Sequence, residues 1–132
     1  MTPLLVTAAI LIKNQKILVA QRKHSDELNG KWEFPGGKVE ANENTKECLK
    51  RELYEEFGIN TAINDYLGES IYDYGSKIIH LQAYFVSHIS GDIQVRVHEQ
   101  IRWVSLSELE GLDWAPADVS LVNQLRTYFQ LK

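Results

Sequence analysis

Glu52, Glu55 and Glu56 stand within five residues of one another. On a helix, at about 100° per residue, they fall within an arc roughly 100° wide, with Leu49, Leu53 and Phe57 beside it. Carboxylates so crowded repel one another and resist joint ionisation unless a cation sits among them. An all-oxygen donor set suits Mg²⁺, with Mn²⁺ as a substitute. The competing reading is a solvated acidic face paired with Lys46, Lys50 and Arg51. Spacing alone leaves both readings open.

Either reading needs a helix. Asn42 or Asn44 can cap one that runs through Phe57, since Leu49, Leu53 and Phe57 recur every four residues and Gly58 follows as a stop. Upstream, Trp32-Glu33-Phe34 reads as a short strand that breaks into a tight glycine loop at Pro35-Gly36-Gly37. The apolar runs Leu4 to Ile12 and Ile17 to Val19, separated at Asn14-Gln15, read as a hairpin. Strand patterns cover Leu67 to Tyr74, Ile78 to Ser87 and Ile101 to Val104, with a turn at Gly75. Ser105 to Leu109 reads as a short helix. Asp118 to Leu131 reads as a terminal helix with Val119, Val122, Leu125, Tyr128 and Phe129 on its apolar side. No repeat or linker divides the chain, so the expectation is one α/β domain over residues 1–132, with helices covering a mixed sheet.

Composition narrows the partners. The 132 residues include 14 Lys and Arg against 18 Asp and Glu, a net charge of -4, with 44% hydrophobic residues. That is a globular composition rather than a disordered one. The acidic balance argues against a nucleic-acid polymer, which is held by Lys and Arg neutralising phosphates, but permits a small anion that arrives with a metal. Cys48 is the only cysteine, which rules out an intrachain disulfide and points to a reducing, cytoplasmic setting. The run Leu4 to Ile12 is too short to span a bilayer, so no membrane partner is expected.

The residues around the carboxylates complete a longer pattern. Gly37, five residues, Glu43, seven residues, Arg51-Glu52-Leu53, one residue, Glu55-Glu56, one residue and Gly58-Ile59 form a 23-residue Nudix box at 37–59. The segment resembles the Nudix hydrolases, enzymes that cleave nucleoside diphosphates linked to another group. The resemblance implies an α/β/α sandwich with a mixed sheet, in which the box forms a loop, helix, loop unit binding Mg²⁺ against the diphosphate. It implies Glu52, Glu55 and Glu56 as metal ligands, the Gly36 carbonyl as a further oxygen, and Arg51 and Glu43 as an ion pair orienting the ligand helix. Glu52 and Glu99 are the two candidates for the general base. The MutT-like branch often carries an extra metal-binding Glu where Glu99 stands; a surface Glu is the other reading. His98 beside it reads as a partly exposed structural residue.

The likeness to the MutT-like branch extends to Ala20-Gln21-Arg22, to the run from Trp32 through Gly36-Gly37-Lys38 to Glu40, and to Ala115-Pro116-Ala117-Asp118. It is greatest to CTP pyrophosphohydrolase and oxidised-nucleotide (8-oxo-dGTP) diphosphatase members. This implies hydrolysis of a small nucleoside triphosphate to monophosphate and pyrophosphate, by a monomer or homodimer. The alternatives are a noncatalytic nucleotide sensor and a hydrolase of another nucleoside diphosphate derivative such as a nucleotide sugar. Under the resemblance, Arg22 contacts phosphate and Gly37 and Lys38 border the substrate. Phe34 stacks on the base or belongs to the core, and core is favoured for Trp32. Glu33, on the opposite strand face, is a base contact. Asp118 either accepts the N4 amino group of cytosine as an ionised carboxylate or caps the last helix. Tyr72, Tyr74, Lys77 and His80 lie near the middle strands and receive no role.

Overall fold

Two strands are apolar along their whole inner length because both of their faces are covered, as a sheet between helices requires. In β1 (Leu4–Lys13) and β2 (Lys16–Gln21), Ala8, Ile10, Ile17 and Val19 enter one core, while Ala9, Leu11, Leu18 and Ala20 enter the other. The first core is closed by Leu121, Val122 and Leu125 of α2 (Pro116–Gln130), the second by Leu49, Leu53 and Phe57 of α1 (Thr45–Phe57). The layers are therefore helix, mixed sheet, helix, as expected. The structure is a computed structural model that describes residues 2–24 and 27–130; the expected helix end at Leu131 lies outside them.

The remaining strands are β3 (Trp32–Glu33), β4 (Gly36–Lys38), β5 (Asn60–Asp73), β6 (Ile78–Ser90) and β7 (Gln100–Val104). The main order is β3-β2-β1-β6-β5, with β7 also on β2 and β4 also on β1. β1 runs parallel to β6, from Leu4 opposite Ile79 to Leu11 opposite Val86, and antiparallel to β4. Its hairpin with β2 turns at Asn14 (φ 53) and Gln15 (φ 65), the left-handed pair that matches strand twist.

α1 starts where a capping box forms. Asn44 accepts the Glu47 N–H at 2.8 Å, and the Glu47 carboxylate accepts the Asn44 N–H at 2.9 Å. Gly58 ends it at φ 71, its N–H reaching the Tyr54 carbonyl. Asn42, the other expected cap, sits instead in the preceding turn at φ 66.

Four expectations need correction. The glycine loop after Pro35 is a strand, because Gly36, Gly37 and Lys38 pair with Ala8, Thr7 and Val6. β5 begins at Asn60, not Leu67; its first half is a polar edge paired to β6 and interrupted by bulges. The short helix is a 3₁₀ turn over Leu106–Gly111. α2 begins at Pro116, a ring pre-set for the first helical position; on it Val119 and Phe129 remain exposed, and Leu121 takes the core position instead.

Gly36 is required by contact rather than by torsion. A Cβ there would lie 1.9 Å from the Thr7 carbonyl oxygen, a backbone atom with nowhere to go. Gly111, by contrast, has nothing within 4 Å of its notional Cβ. Gly36→Ala is therefore expected to cost roughly 3 kcal/mol in urea denaturation, and Gly111→Ala less than about 0.5 kcal/mol. Equal stability of the two variants would show that β4 does not press against β1.

Candidate active site

β4 and α1 build the acidic end of the site. Arg51 lies between them: its Nε and Nη2 grip both oxygens of Glu43 at 2.9 and 2.7 Å, and Nη1 donates to Glu52 at 2.9 Å and Glu55 at 3.0 Å. Nη2 also donates to the Lys38 carbonyl at 3.2 Å, tying the helix to the strand. The guanidinium holds the Glu43 carboxyl down at about 2, and the carboxylates in turn raise the Arg51 pKa. The expected Arg51 and Glu43 ion pair is thus present in the geometry.

The three helix carboxylates sit in different surroundings. Glu52 packs on Gly37, where a Cβ would fall 2.2 Å from its carboxyl carbon. Glu55 is exposed. Glu56 is half-buried, and loss of solvent together with the nearby Glu52 carboxylate raises its pKa to about 8. Among the described residues no three acidic, His or Cys side chains stand at ligand spacing as they rest. Arg51 draws Glu52 and Glu55 to itself, which accounts for the spread. The Gly37 carbonyl is already engaged by Thr7 Oγ1 at 3.1 Å and Cys48 Sγ at 3.4 Å; burial pushes the Cys48 thiol up to about 11.

A cavity of about 540 Å³ runs from this end across the sheet. Gly36, Gly37, Lys38 and Glu56 line it, as do Arg22, Glu33, Phe34 and Asp118; the charges of Arg22 and Glu33 act on both Glu56 and Asp118. Glu52 lies directly behind Gly37. Arg51, Glu55 and the exposed Glu99 do not line it. The Glu99 N–H donates to the Gln21 carbonyl at 2.9 Å, which fixes its backbone beside the start of β7.

Asp118 is not a helix cap. It is the third residue of α2, 5% exposed, and its Oδ2 accepts the Phe34 N–H at 3.0 Å. Burial first, and then the Glu33 charge, hold its carboxyl well above the usual range. The ionised, accept-only group expected from sequence is therefore disfavoured, because a neutral carboxyl both accepts and donates. Phe34 is a core residue and a cavity wall at once, its ring 4.8 Å from that of Trp114. Trp32 is buried in the core beside Trp114.

Glu33 shares the cavity with Phe34 despite the alternation of the strand. One of its oxygens accepts from Arg22 Nη1 at 2.8 Å and the other from His98 Nε2 at 2.8 Å. His98 corrects the sequence reading outright. It is 7% exposed, stacked on Phe57 at 5.4 Å between ring centres, and its Nδ1 is buried without a partner among the described residues. No periodicity marks it, since it lies in the irregular stretch before β7. Tyr74 also lines the cavity, and strand alternation alone gave no reason to prefer it to Tyr72.

Known proteins resemble this chain in sequence and fold. The NUDIX domain family model matches residues 3–125. The chain is 39% identical over 117 residues to CTP pyrophosphohydrolase of Escherichia coli (strain K12), covering 89% of this chain and 87% of that protein. It is 40% identical over 117 residues to the putative 8-oxo-dGTP diphosphatase 2 of Mycobacterium tuberculosis (strain ATCC 25618 / H37Rv), covering 86% and 82%. The solution structure of the E. coli ORF135 protein superimposes with a TM-score of 0.87 at 37% identity, covering 96% of this chain and 91% of that one. A cavity with an acidic helix at one end and the box segment beneath it, in a chain matched along nearly its whole length, leads to one conclusion: this chain belongs to the NUDIX domain family and is a Nudix hydrolase.

Proposed function

We propose that the chain is a divalent-metal-dependent nucleoside triphosphate pyrophosphohydrolase, one Nudix domain releasing nucleoside monophosphate and pyrophosphate. CTP, dCTP, 5-methyl-dCTP or oxidised nucleotides are its substrates, and cleansing of the nucleotide pool is its role. The observation that carries this reading is one cavity of about 540 Å³ lined both by Glu56 of the box helix and by Phe34 and Asp118. The names of the two relatives support the same substrate class. Among the described residues no helix is long and apolar enough to cross a membrane. The proposed setting is the cytoplasm, and the proposed assembly a monomer or homodimer.

The donor set fits a hard dication. Burial first, and then the neighbouring Glu52, raise the Glu56 pKa to about 8, and an ion between the two carboxylates would favour their charged forms. Glu52, Glu55, Glu56 and the Gly36 carbonyl are the proposed ligands, with Glu99 as a further one. A bound Mg²⁺ would neutralise phosphate charge and acidify water. Around it the chain's own groups do the rest. Arg22 and Lys38 bring positive charge to the phosphates. Arg51 fixes one oxygen of Glu52, and Glu52 is the first candidate to take the proton from the attacking water. Glu99, exposed and like Glu52 not lining the cavity, is the second candidate base.

Glu56→Gln removes one ligand charge at constant size. Activity is expected to fall by more than the roughly 10- to 100-fold typical of losing a ligand's supporting partner, and chelation should abolish it in the native chain. The same variant carries a pH signature. The Glu56 pKa is higher in the folded chain than the 4.5 of a free glutamate side chain, so the metal-free folded state binds the extra proton. Native stability is then expected to decline as pH rises from about 4.5 through about 8, and Glu56→Gln should flatten that decline. Near-normal rates in the variant, or activity that survives chelation, would remove the metal from the mechanism.

Water is expected to attack the β-phosphorus. Hydrolysis in ¹⁸O-labelled water then places the label in pyrophosphate and none in the monophosphate, as read by mass spectrometry. Label in the monophosphate would move the attack to the α-phosphorus.

Base choice is assigned to Asp118. Neutral, it donates toward a base acceptor such as O6 of 8-oxoguanine; ionised, it accepts the N4 amino group of cytosine. The kcat/KM ratio of CTP to 8-oxo-dGTP should therefore rise with pH, and Asp118→Asn should pin it at its low-pH value, the span lying between about 5-fold and 150-fold. Asp118→Ala leaves the buried Phe34 N–H unpaired and should cost about 1–3 kcal/mol. A ratio indifferent to both pH and substitution would transfer base choice to Glu33 and Phe34.

A further inference from the structure

Two side chains meet the first turn of α2 inside the cavity, and each has one backbone partner. Asp118 accepts from the Phe34 N–H, and the Tyr74 Oη accepts from the Ala117 N–H at 3.0 Å. Tyr74 follows directly on β5. Its N–H donates to the Lys77 carbonyl at 2.8 Å, and its ring packs edge-on against Tyr72 at 4.7 Å. Backbone and ring are thus both anchored, and the hydroxyl oxygen is held in place by α2.

A phenol has one hydrogen to donate as well as lone pairs to accept. The Ala117 N–H uses a lone pair. Among the described residues nothing accepts the Tyr74 hydrogen. Burial holds the Tyr74 pKa above its ordinary value, so the hydrogen is present at neutral pH. A donor fixed on the cavity wall beside Asp118 and lacking an acceptor asks for one on the ligand.

The geometry assigns Tyr74 as a specificity-determining residue whose hydroxyl donates to a carbonyl oxygen of the bound base. This rests on the nucleoside triphosphate reading. Cytosine offers O2 and guanine O6, whereas adenine has no carbonyl. The hydroxyl is assigned to the base and not to the phosphates, so Tyr74 acts on affinity for the base and not on the bond broken.

The test replaces the acceptor and the donor in turn. Sulfur is a poor acceptor, so CTP is compared with 2-thio-CTP and GTP with 6-thio-GTP, in the native chain and in Tyr74→Phe. For whichever pair the native chain hydrolyses, sulfur should lower kcat/KM by roughly 3- to 10-fold through KM, with kcat retained. In Tyr74→Phe the oxygen substrate already suffers that loss, and sulfur should change it by less than about 2-fold. Tyr74→Leu, which also removes the ring, should lose the sulfur effect in the same way. Melting curves establish that each variant is folded, and a general loss of fold would depress ATP turnover as much as CTP turnover. An undiminished sulfur penalty in Tyr74→Phe, or none in the native chain, overturns the assignment. If the native chain hydrolyses no nucleoside triphosphate, the underlying reading fails as well, and the two failures are told apart by that control.

Discussion

One guanidinium keeps the acidic end of this molecule intact. Arg51 bonds to three carboxylates and to the Lys38 carbonyl, so the charge that would drive Glu43, Glu52 and Glu55 apart becomes what fastens α1 to β4. The arrangement needs Arg rather than Lys, because a planar fork can serve Glu43 through two nitrogens and still present a third face to the helix. Glu56 makes no bond to it, and burial first, then Glu52, raise its pKa.

The rest of the cavity wall comes from other elements. β3 supplies Glu33 and leads into Phe34, α2 supplies Asp118, and the stretch before β7 supplies His98. What joins these elements to α1 is β1, whose alternating side chains anchor α1 on one face and α2 on the other. A shift of either helix would have to pass through that shared strand, so the span between Glu56 and Asp118 is set by the core and not by loops.

The parts of the fold that announced themselves in sequence are those fixed by neighbours along the chain. Asn44, the four-residue repeat of Leu49, Leu53 and Phe57, and Gly58 determine α1 locally, and the carboxylate arc follows from it. β4 was hidden because Gly36-Gly37 carries the local signal of a turn, while its pairing partners lie about 30 residues earlier. The first half of β5 was hidden because an edge strand tolerates Asn60, Asn64 and Asp65. Pro116 marked the true start of α2, and taking Asp118 for a cap missed it. The burial of His98 depends on Phe57, 41 residues away, and nothing near His98 signals it.

The parallel pairing of β1 with β6 has a consequence for the order in which the molecule can assemble. Leu4 meets Ile79 and Leu11 meets Val86, so the strand that organises both cores stays half-unpaired until a chain segment some 75 residues later has been made. Closing so long a loop is slow compared with forming the capped helix, which needs only its own residues. The box helix can thus coil early with its carboxylates in register, yet has no walled cavity to serve until the second half of the chain arrives. A ribosome-bound intermediate would carry every residue of the box and still lack the Asp118 end, which makes hydrolysis a property of the finished sheet.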